Sequence, residues 1–396
     1  MLNEELAISK LKEFNQEHII DTLSIIKNIE REQLIQQILD LDFEKIERLY
    51  SSTKAKKEVD QNQISPMNRI IDKEKIEDAK DFIKIGEDVI KNNQFAVVTM
   101  AGGQGTRIGY NGPKGTLKIN IGSKGKYIFE ILTEKLAKAK ALYGTYPYWY
   151  IMTSEQNNDE TISFFEVHNY FGYDKEKVKF FKQDDVPMLT KEGKLVIENN
   201  KIKTAADGNG GVYSSLKKQK IIEDMRLKNI KWVYICGVDN IMVKPIDPLF
   251  IGLTQSHNME IASKSIIKDY PEEKVGVFCK KNDKPSVIEY IELTEEMVNM
   301  RNEHGELVYG DANFISHLLS VDAIEKISKE KFEYHRVIKN NLYKYESFIF
   351  DGFKFLDDML VMRVKRDEEF APIKNKEGVD SPETAVEIYK KFNKEQ

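Results

Sequence analysis

Cysteine is scarce in this chain. Its 396 residues hold only Cys236 and Cys279, both inside apolar, strand-like runs. Two such thiols cannot build a disulfide framework, and they are expected to stay free and buried in a reducing compartment. No Cys/His cluster has the spacing of a zinc site. An excess of either charge is also missing. Lys and Arg number 60 against 65 Asp and Glu, a net charge of −5. A dedicated nucleic-acid binder usually shows a basic excess. No nucleic-acid partner is therefore expected, although a small basic pocket for a nucleotide remains compatible. Long apolar runs are absent too. None approaches the length of a membrane span. The acidic, amphipathic start MLNEELAISKLKEF lacks the form of a secretory signal. The expectation is a cytoplasmic protein with no membrane partner. With 41% hydrophobic residues, a large core and two or three domains are within reach.

Glycine is concentrated where it counts. The run FAVVTMAGGQGTRIGYNGPKGTLK, Phe95 to Lys118, opens on an apolar stretch that suits a buried strand. It then breaks into Gly102, Gly103, Gly105, Gly109, Gly112 and Gly115, six glycines in fourteen residues. Such density implies close backbone approach or positive φ. Arg107 and Lys114 sit in the same loop. A strand feeding exposed backbone N–H groups and two cations is a phosphate cradle. Flexible linkers are rich in Gly and Ser without fixed cations, so a merely mobile loop fits less well. The loop is not a Walker A motif, and its glycine spacing does not match the dinucleotide fingerprint.

In chain order, residues 1 to about 93 read as helical, with apolar residues at helical spacing from Leu6 through Leu41, a break at Ser65-Pro66 and a further helix from Asp72 to Lys91. From 95 the texture alternates. Strands are expected at 95–101, 148–153, 179–182 and 232–238, with helices at 127–143, 161–170 and 212–227. This βαβα order implies an α/β fold, with a parallel-rich sheet flanked by helices and ligands beyond the carboxyl ends of the strands. Later strands, at 259–264, 275–280, 286–293, 345–350 and 359–364, crowd together and suggest a mixed sheet or an added layer. A short helix, 382–392, closes the chain. The expected division is an all-helical N-terminal segment (1–93), a catalytic α/β domain (94–370) and a short C-terminal tail (371–396).

Further stretches carry chemistry. Phe180-Phe181-Lys182-Gln183 ends in an amide that can pair with a donor and an acceptor at once, although alone Gln183 would be an ordinary surface residue. Ala206-Asp207-Gly208-Asn209-Gly210-Gly211 is a second glycine loop opening a helix. Cys236-Gly237-Val238-Asp239-Asn240 ends an apolar strand in a carboxylate. Asp239 can hold Mg²⁺ against phosphates or cap the following turn, with Asn240 placed to orient it. Val275-Gly276-Val277, Ile288-Glu289-Tyr290, Asp311-Ala312-Asn313, Phe348-Ile349-Phe350-Asp351 and Glu369-Phe370-Ala371-Pro372-Ile373-Lys374-Asn375 follow in order. Glu289 can accept hydrogen bonds, and the Asn313 amide can both donate and accept them. Phe348 and Phe350 read equally as alternate core residues of a strand.

The pattern GGxGTR(x)nPKG, with these motifs in fixed order over about residues 95 to 380, resembles the UDP-sugar pyrophosphorylases, and most closely the UDP-N-acetylglucosamine pyrophosphorylases. The resemblance implies a Rossmann-like, GT-A-like nucleotidyltransferase that joins UTP and a sugar 1-phosphate with Mg²⁺. It implies nucleotide binding by Ala101, Gly102, Gly103, Gln183 and Gly208. It implies sugar binding by Asn209, Gly276, Glu289, Tyr290, Asn313, Phe348 and Phe350. Asp239 would hold the metal, and Arg107, Lys114 and Lys374 would neutralise phosphate charge. The sequence departs from the family at Ala206, where proline would stiffen the loop, and at Ala312, where glycine is usual. The D-G-N-G-G loop and the E-Y step favour N-acetylglucosamine 1-phosphate, with glucose 1-phosphate as the alternative. A glycosyltransferase normally lacks the first glycine loop. A non-catalytic nucleotide-sugar sensor would be favoured by loss of Arg107, Lys114 or Asp239, and all three are present. A monomer is expected.

Overall fold

The strand Phe95–Met100 is buried at all six positions and lies inside the sheet. In the computed structural model, which describes residues 2–52 and 61–394, it pairs in parallel with Tyr148–Thr153 on one side and with Trp232–Gly237 on the other. Val178–Lys182 extends the parallel run beyond Tyr148–Thr153. On the opposite flank the ten-residue strand Asp311–Ser320 runs antiparallel between Trp232–Gly237 and Ile261–Ile267. Leu360–Arg363 and then Ile70–Asp72 complete this path, each parallel to its neighbour. Five of the seven pairings along the path are parallel, which bears out the mixed, mostly parallel sheet. A side branch, Val277–Lys281, pairs with Lys284–Ile288 and Ile64–Pro66 and touches the main path at Val277↔Ala312.

Helices cover the sheet because their apolar stripes match it. Ile128–Tyr143 buries Ile128, Phe129, Ile131, Leu132, Leu136 and Ala139 in the main core, the spacing of one helix face. Helix Ala79–Lys91 packs on helix Pro248–Ser256 at two glycines. A Cβ at Gly86 would overlap the Pro248 carbonyl, and one at Gly252 would overlap the Phe82 carbonyl.

The structure corrects the expected boundaries. Residues 64–72 are not helical. They supply two strands of the main sheet. The described chain forms two compact units, residues 2–52 with 184–211 and 332–348, and the remaining residues from 61 onward. In the first unit the N-terminal helices bury Leu11, Ile19, Leu34, Ile38 and Phe43 with Val186, Leu189, Leu195, Ile202 and Tyr345. These partners lie over a hundred residues away in sequence, so a contiguous division at 93 misses them. The C-terminal residues belong to the second unit, where helix Pro382–Lys394 sets Ala385 and Val386 into the main core.

Local differences matter for the site. The helix expected over 212–227 is two helices, Gly211–Lys218 and Ile221–Leu227, broken at Lys220 with φ 57°. The strand expected at 345–350 ends at Glu346, and Ile349–Phe355 is 3₁₀-helical. Phe348 and Phe350 are therefore not alternate residues of one strand. The long strand Asp311–Ser320 was not expected. Its periodicity is broken by Ile315 at φ 57°, an outlier for a β-branched residue.

Candidate active site

The first glycine loop is a fixed structure. Gly105 N donates to Gly112 O (2.9 Å), Tyr110 N to Gly105 O (3.0 Å) and Lys114 N to Gly103 O (3.1 Å). Tyr110 Oη lies 2.8 Å from Thr116 Oγ1. The loop leaves the sheet at Ala101, whose N donates to Met152 O (2.7 Å) and whose O accepts from Asn157 Nδ2 (2.9 Å). Asn157 is fully buried, and its Oδ1 accepts from Ser154 N. Sequence reading did not single out Asn157. Its position just before a helical run is the available signal, since Asn favours that boundary.

Gln183 comes to this loop from two strands away. Its backbone N donates to Thr153 O (2.8 Å), which continues the sheet by one residue. Its side chain lies against Gly102: a Cβ there would sit 2.8 Å from Gln183 Oε1. The Gln183 amide is thus placed beside the Gly102 backbone, and a larger residue at 102 would displace it. Gly103 and Arg107 are exposed.

Asp239 stands at the carboxyl end of Trp232–Gly237, beside the end of Phe95–Met100, with Val238 N donating to Met100 O (3.1 Å). Lys114 Nζ lies 3.8 Å from Asp239 Oδ2, and both side chains keep partial access to solvent. The C-terminal segment joins them, because Ile373 N donates to Asp239 O (2.9 Å). Lys374 follows directly, 3.5 Å from Asp380 and over the Phe370 ring. Asn240 does not orient the Asp239 carboxylate. Its Nδ2 donates to Glu369 O, and its Oδ1 accepts from Met242 N and Ala371 N. No group of three His, Cys, Asp or Glu side chains forms a metal cage among the described residues. A single carboxylate with partial access to solvent fits Mg²⁺, which commonly takes one or two protein carboxylates and completes its shell with phosphate and water.

A second cluster gathers Gly276, Glu289 and Asn313. Asn313 N donates to Gly276 O (2.9 Å), and a Cβ at Gly276 would lie 3.0 Å from Glu289 Oε1. Asn313 Oδ1 accepts from Ile315 N (3.1 Å), which supports the strained turn of the backbone there. Tyr290 points outward, 41% exposed, and the structure does not bring it into this cluster. Phe350 is buried in the same unit.

The first unit holds Gly208, Asn209 and Phe348. Gly208 has φ 91°, and a Cβ there would overlap the Ser347 carbonyl. Phe348 packs on His335, ring centroids 4.7 Å apart, and Asn209 is half-buried. Ala206 does not leave the loop slack, because Thr204–Ala206 pairs with Asp185–Pro187. Asp207 is the unexpected member. Its carboxylate Oδ1 is buried without a hydrogen bond among the described residues. Burial, reinforced by Asp184, pushes its pKa up to about 7. The native chain therefore keeps a proton that the unfolded chain releases near pH ~4. The stability this contributes is complete below that value and is lost as pH rises through about 7. Asp207→Asn should remove the effect. Between about pH 5 and about pH 8 the melting temperature of the unsubstituted chain should fall relative to that of the variant. Parallel curves would refute the assignment.

A glycine loop with fixed N–H groups, two cations and a carboxylate at the carboxyl edge of parallel strands defines a nucleotide-binding α/β enzyme of the phosphate-transferring kind. A profile of the UTP–glucose-1-phosphate uridylyltransferase family matches residues 40–379. The chain is 33% identical to UDP-N-acetylglucosamine diphosphorylase 2 of Arabidopsis thaliana, over 96% of this chain and 82% of that one. It is 36% identical to UDP-N-acetylglucosamine pyrophosphorylase of Saccharomyces cerevisiae, over 79% and 71%. The crystal structure of the Trypanosoma brucei uridine diphosphate N-acetylglucosamine pyrophosphorylase in complex with inhibitor superposes with a TM-score of 0.83 at 28% identity, covering 98% of this chain and 84% of that one. The chain belongs to the UTP–glucose-1-phosphate uridylyltransferase family. It is an enzyme, a nucleotidyltransferase forming a UDP-sugar from UTP and a sugar 1-phosphate.

Proposed function

We propose that the sugar is N-acetylglucosamine 1-phosphate and that the residues assembled above carry the transfer. The observation that supports this sugar best is Glu289 beside Gly276, whose O accepts from the Asn313 backbone N: the Glu289 carboxylate can accept from sugar hydroxyls, and the Asn313 amide, which accepts from Ile315 N, can still donate. The relatives at 33% and 36% identity are named for the same sugar nucleotide. UTP lies on the Ala101–Arg107 loop, with uracil against Gln183. On the family resemblance, Gly208 and Asn209 of the second glycine loop are assigned to uridine and sugar, and Phe348 and Phe350 each to the sugar. A phosphate oxygen of the sugar 1-phosphate attacks the α-phosphorus of UTP in line. The new P–O bond forms as the bond to pyrophosphate breaks and pyrophosphate takes the electron pair. Aligned, desolvated phosphate is nucleophilic enough to need no general base. Arg107, Lys114 and Lys374 offset charge on the phosphates. Asp239 would hold Mg²⁺, which supplies further charge neutralisation when bound.

The setting we infer is cytoplasmic and monomeric. Both cysteines are free and buried, as suits a reducing compartment. No helix among the described residues is long and apolar enough to cross a membrane. The test is pyrophosphate release with Mg²⁺ and UTP against N-acetylglucosamine, N-acetylgalactosamine and glucose 1-phosphates separately. Release that depends on N-acetylglucosamine 1-phosphate supports the reading. Preference for glucose 1-phosphate would overturn the sugar assignment and leave the transfer chemistry standing.

A further inference from the structure

Behind the segment that carries Lys374 lies a group of charges that touches no expected substrate. Lys264, in the middle of Ile261–Ile267, is fully buried. Its Nζ lies 2.7 Å from Asp247 Oδ2 and 2.7 Å from Glu369 Oε2. Glu369 is fully buried as well, with Lys73 3.9 Å from its other oxygen. Asp247 also accepts from Phe250 N and so caps helix Pro248–Ser256. Burial works against the Lys264 ammonium, yet Asp247 and Glu369 hold its pKa above the ordinary range.

Such a group is poorly explained by stability alone. Buried ions lose their hydration, and apolar replacements of similar volume are often as stable or more so. What an ion cluster does provide is direction. From Glu369 the chain is fastened at successive points: Glu369 O to Asn240 Nδ2 (2.7 Å), Ala371 N to Asn240 Oδ1 (2.9 Å) and Ile373 N to Asp239 O (2.9 Å). The next residue is Lys374. The Lys264 contact is the fixed end of this strap, and Asp239 and Lys374 are at its working end.

We propose that Lys264, Asp247 and Glu369 form a buried positioning element that fixes residues 369–374 on Asp239–Asn240 and thereby sets where Lys374 stands relative to Asp239. The proposal rests on the reading that Lys374 and Asp239 act on the phosphates. None of the three residues is catalytic. They act through the strap.

A double-mutant cycle on the full chain tests it. Glu369→Gln should lower kcat by roughly tenfold to 10²-fold, the range expected of a misplaced group. The KM for UTP should stay within about twofold. In a Lys374→Ala background, Glu369→Gln should cost less than about twofold more, because the group it places is gone. Amide exchange at Ala371 and Ile373 should rise in Glu369→Gln. Equal fold-losses in both backgrounds, or unchanged exchange at these amides, would overturn the proposal. Normal turnover of Lys374→Ala by itself would strike the reading of Lys374, and the exchange would still decide whether the cluster fixes the segment. Should Glu369→Gln fail to fold, the triple variant Lys264→Met/Asp247→Asn/Glu369→Gln leaves no lone buried ion and keeps a side chain able to cap the helix. Full kcat in that triple would also overturn the proposal.

Discussion

Lys114→Ala and Asp239→Ala should each leave a folded protein whose turnover is down by roughly 10²-fold or more. The argument is one of position. Lys114 sits in a loop held by backbone bonds, and Asp239 sits on a strand end bonded to Met100 and Ile373. Neither charge must be reorganised as the phosphorus is attacked, which is why each is worth more there than in water. Folding should survive. Their ion pair spans 3.8 Å, and both side chains remain partly solvated. Screened pairs of this kind contribute about 0 to 1 kcal/mol, small beside a chain's total of roughly 5–15 kcal/mol. Thermal melting and circular dichroism establish the folded state, and steady-state pyrophosphate release reads the loss. Turnover within about tenfold of the unsubstituted chain, at an unchanged melting temperature, would sink the assigned roles. Lys114→Arg should recover only part of the activity, because a planar guanidinium does not occupy the place of a compact ammonium.

Gly252→Ala should damage the fold far from the chemistry. Alanine is intrinsically better than glycine in a helix by about 1 kcal/mol. Packing opposes that gain. The new methyl would overlap the Phe82 carbonyl, a backbone atom that cannot rotate away, so the two helices must separate. Overpacking of this kind costs about 1–3 kcal/mol and occasionally more. The backbone clash places this case at the upper end, so the net effect is destabilising by roughly 2 kcal/mol. Gly86→Ala meets the Pro248 carbonyl on the facing helix. Because the two share one contact, the double variant should lose less than the sum of the singles. Differential scanning calorimetry of the chain is the measurement. A melting temperature unchanged or raised by Gly252→Ala would show that the helices yield without cost.

Local chemistry was readable before the fold was known. Six glycines around Arg107 and Lys114, a glutamine ending one strand and an aspartate ending another are short-range patterns, and the structure brings Gln183 to Gly102 and Asp239 to Lys114. Phe95–Met100 was legible as a strand because every residue is apolar or fits a buried sheet. The failures share a cause. Phe348 and Phe350 look like a strand by alternation, yet the chain turns into 3₁₀ geometry at Ile349. Asp311–Ser320 hides its alternation behind a left-handed residue at Ile315.

The sequence by itself determined the class of chemistry, since the glycine loop with its two cations and the carboxylate that ends a strand are written within short windows. Only the tertiary structure decided which distant segments share a core and which side chains hold others in place. The N-terminal helices fold with 184–211 and 332–348 because those segments supply the apolar surface that the helices lack. Asn240 serves Glu369 and Ala371, although by sequence it stands next to Asp239. Lys264 and Asp247 carry no motif, and Glu369 opens one that does not show its partners. Their meaning lies in two distances of 2.7 Å across three separate segments. Contact between residues far apart in the chain is a property of the folded packing, and local propensity does not encode it.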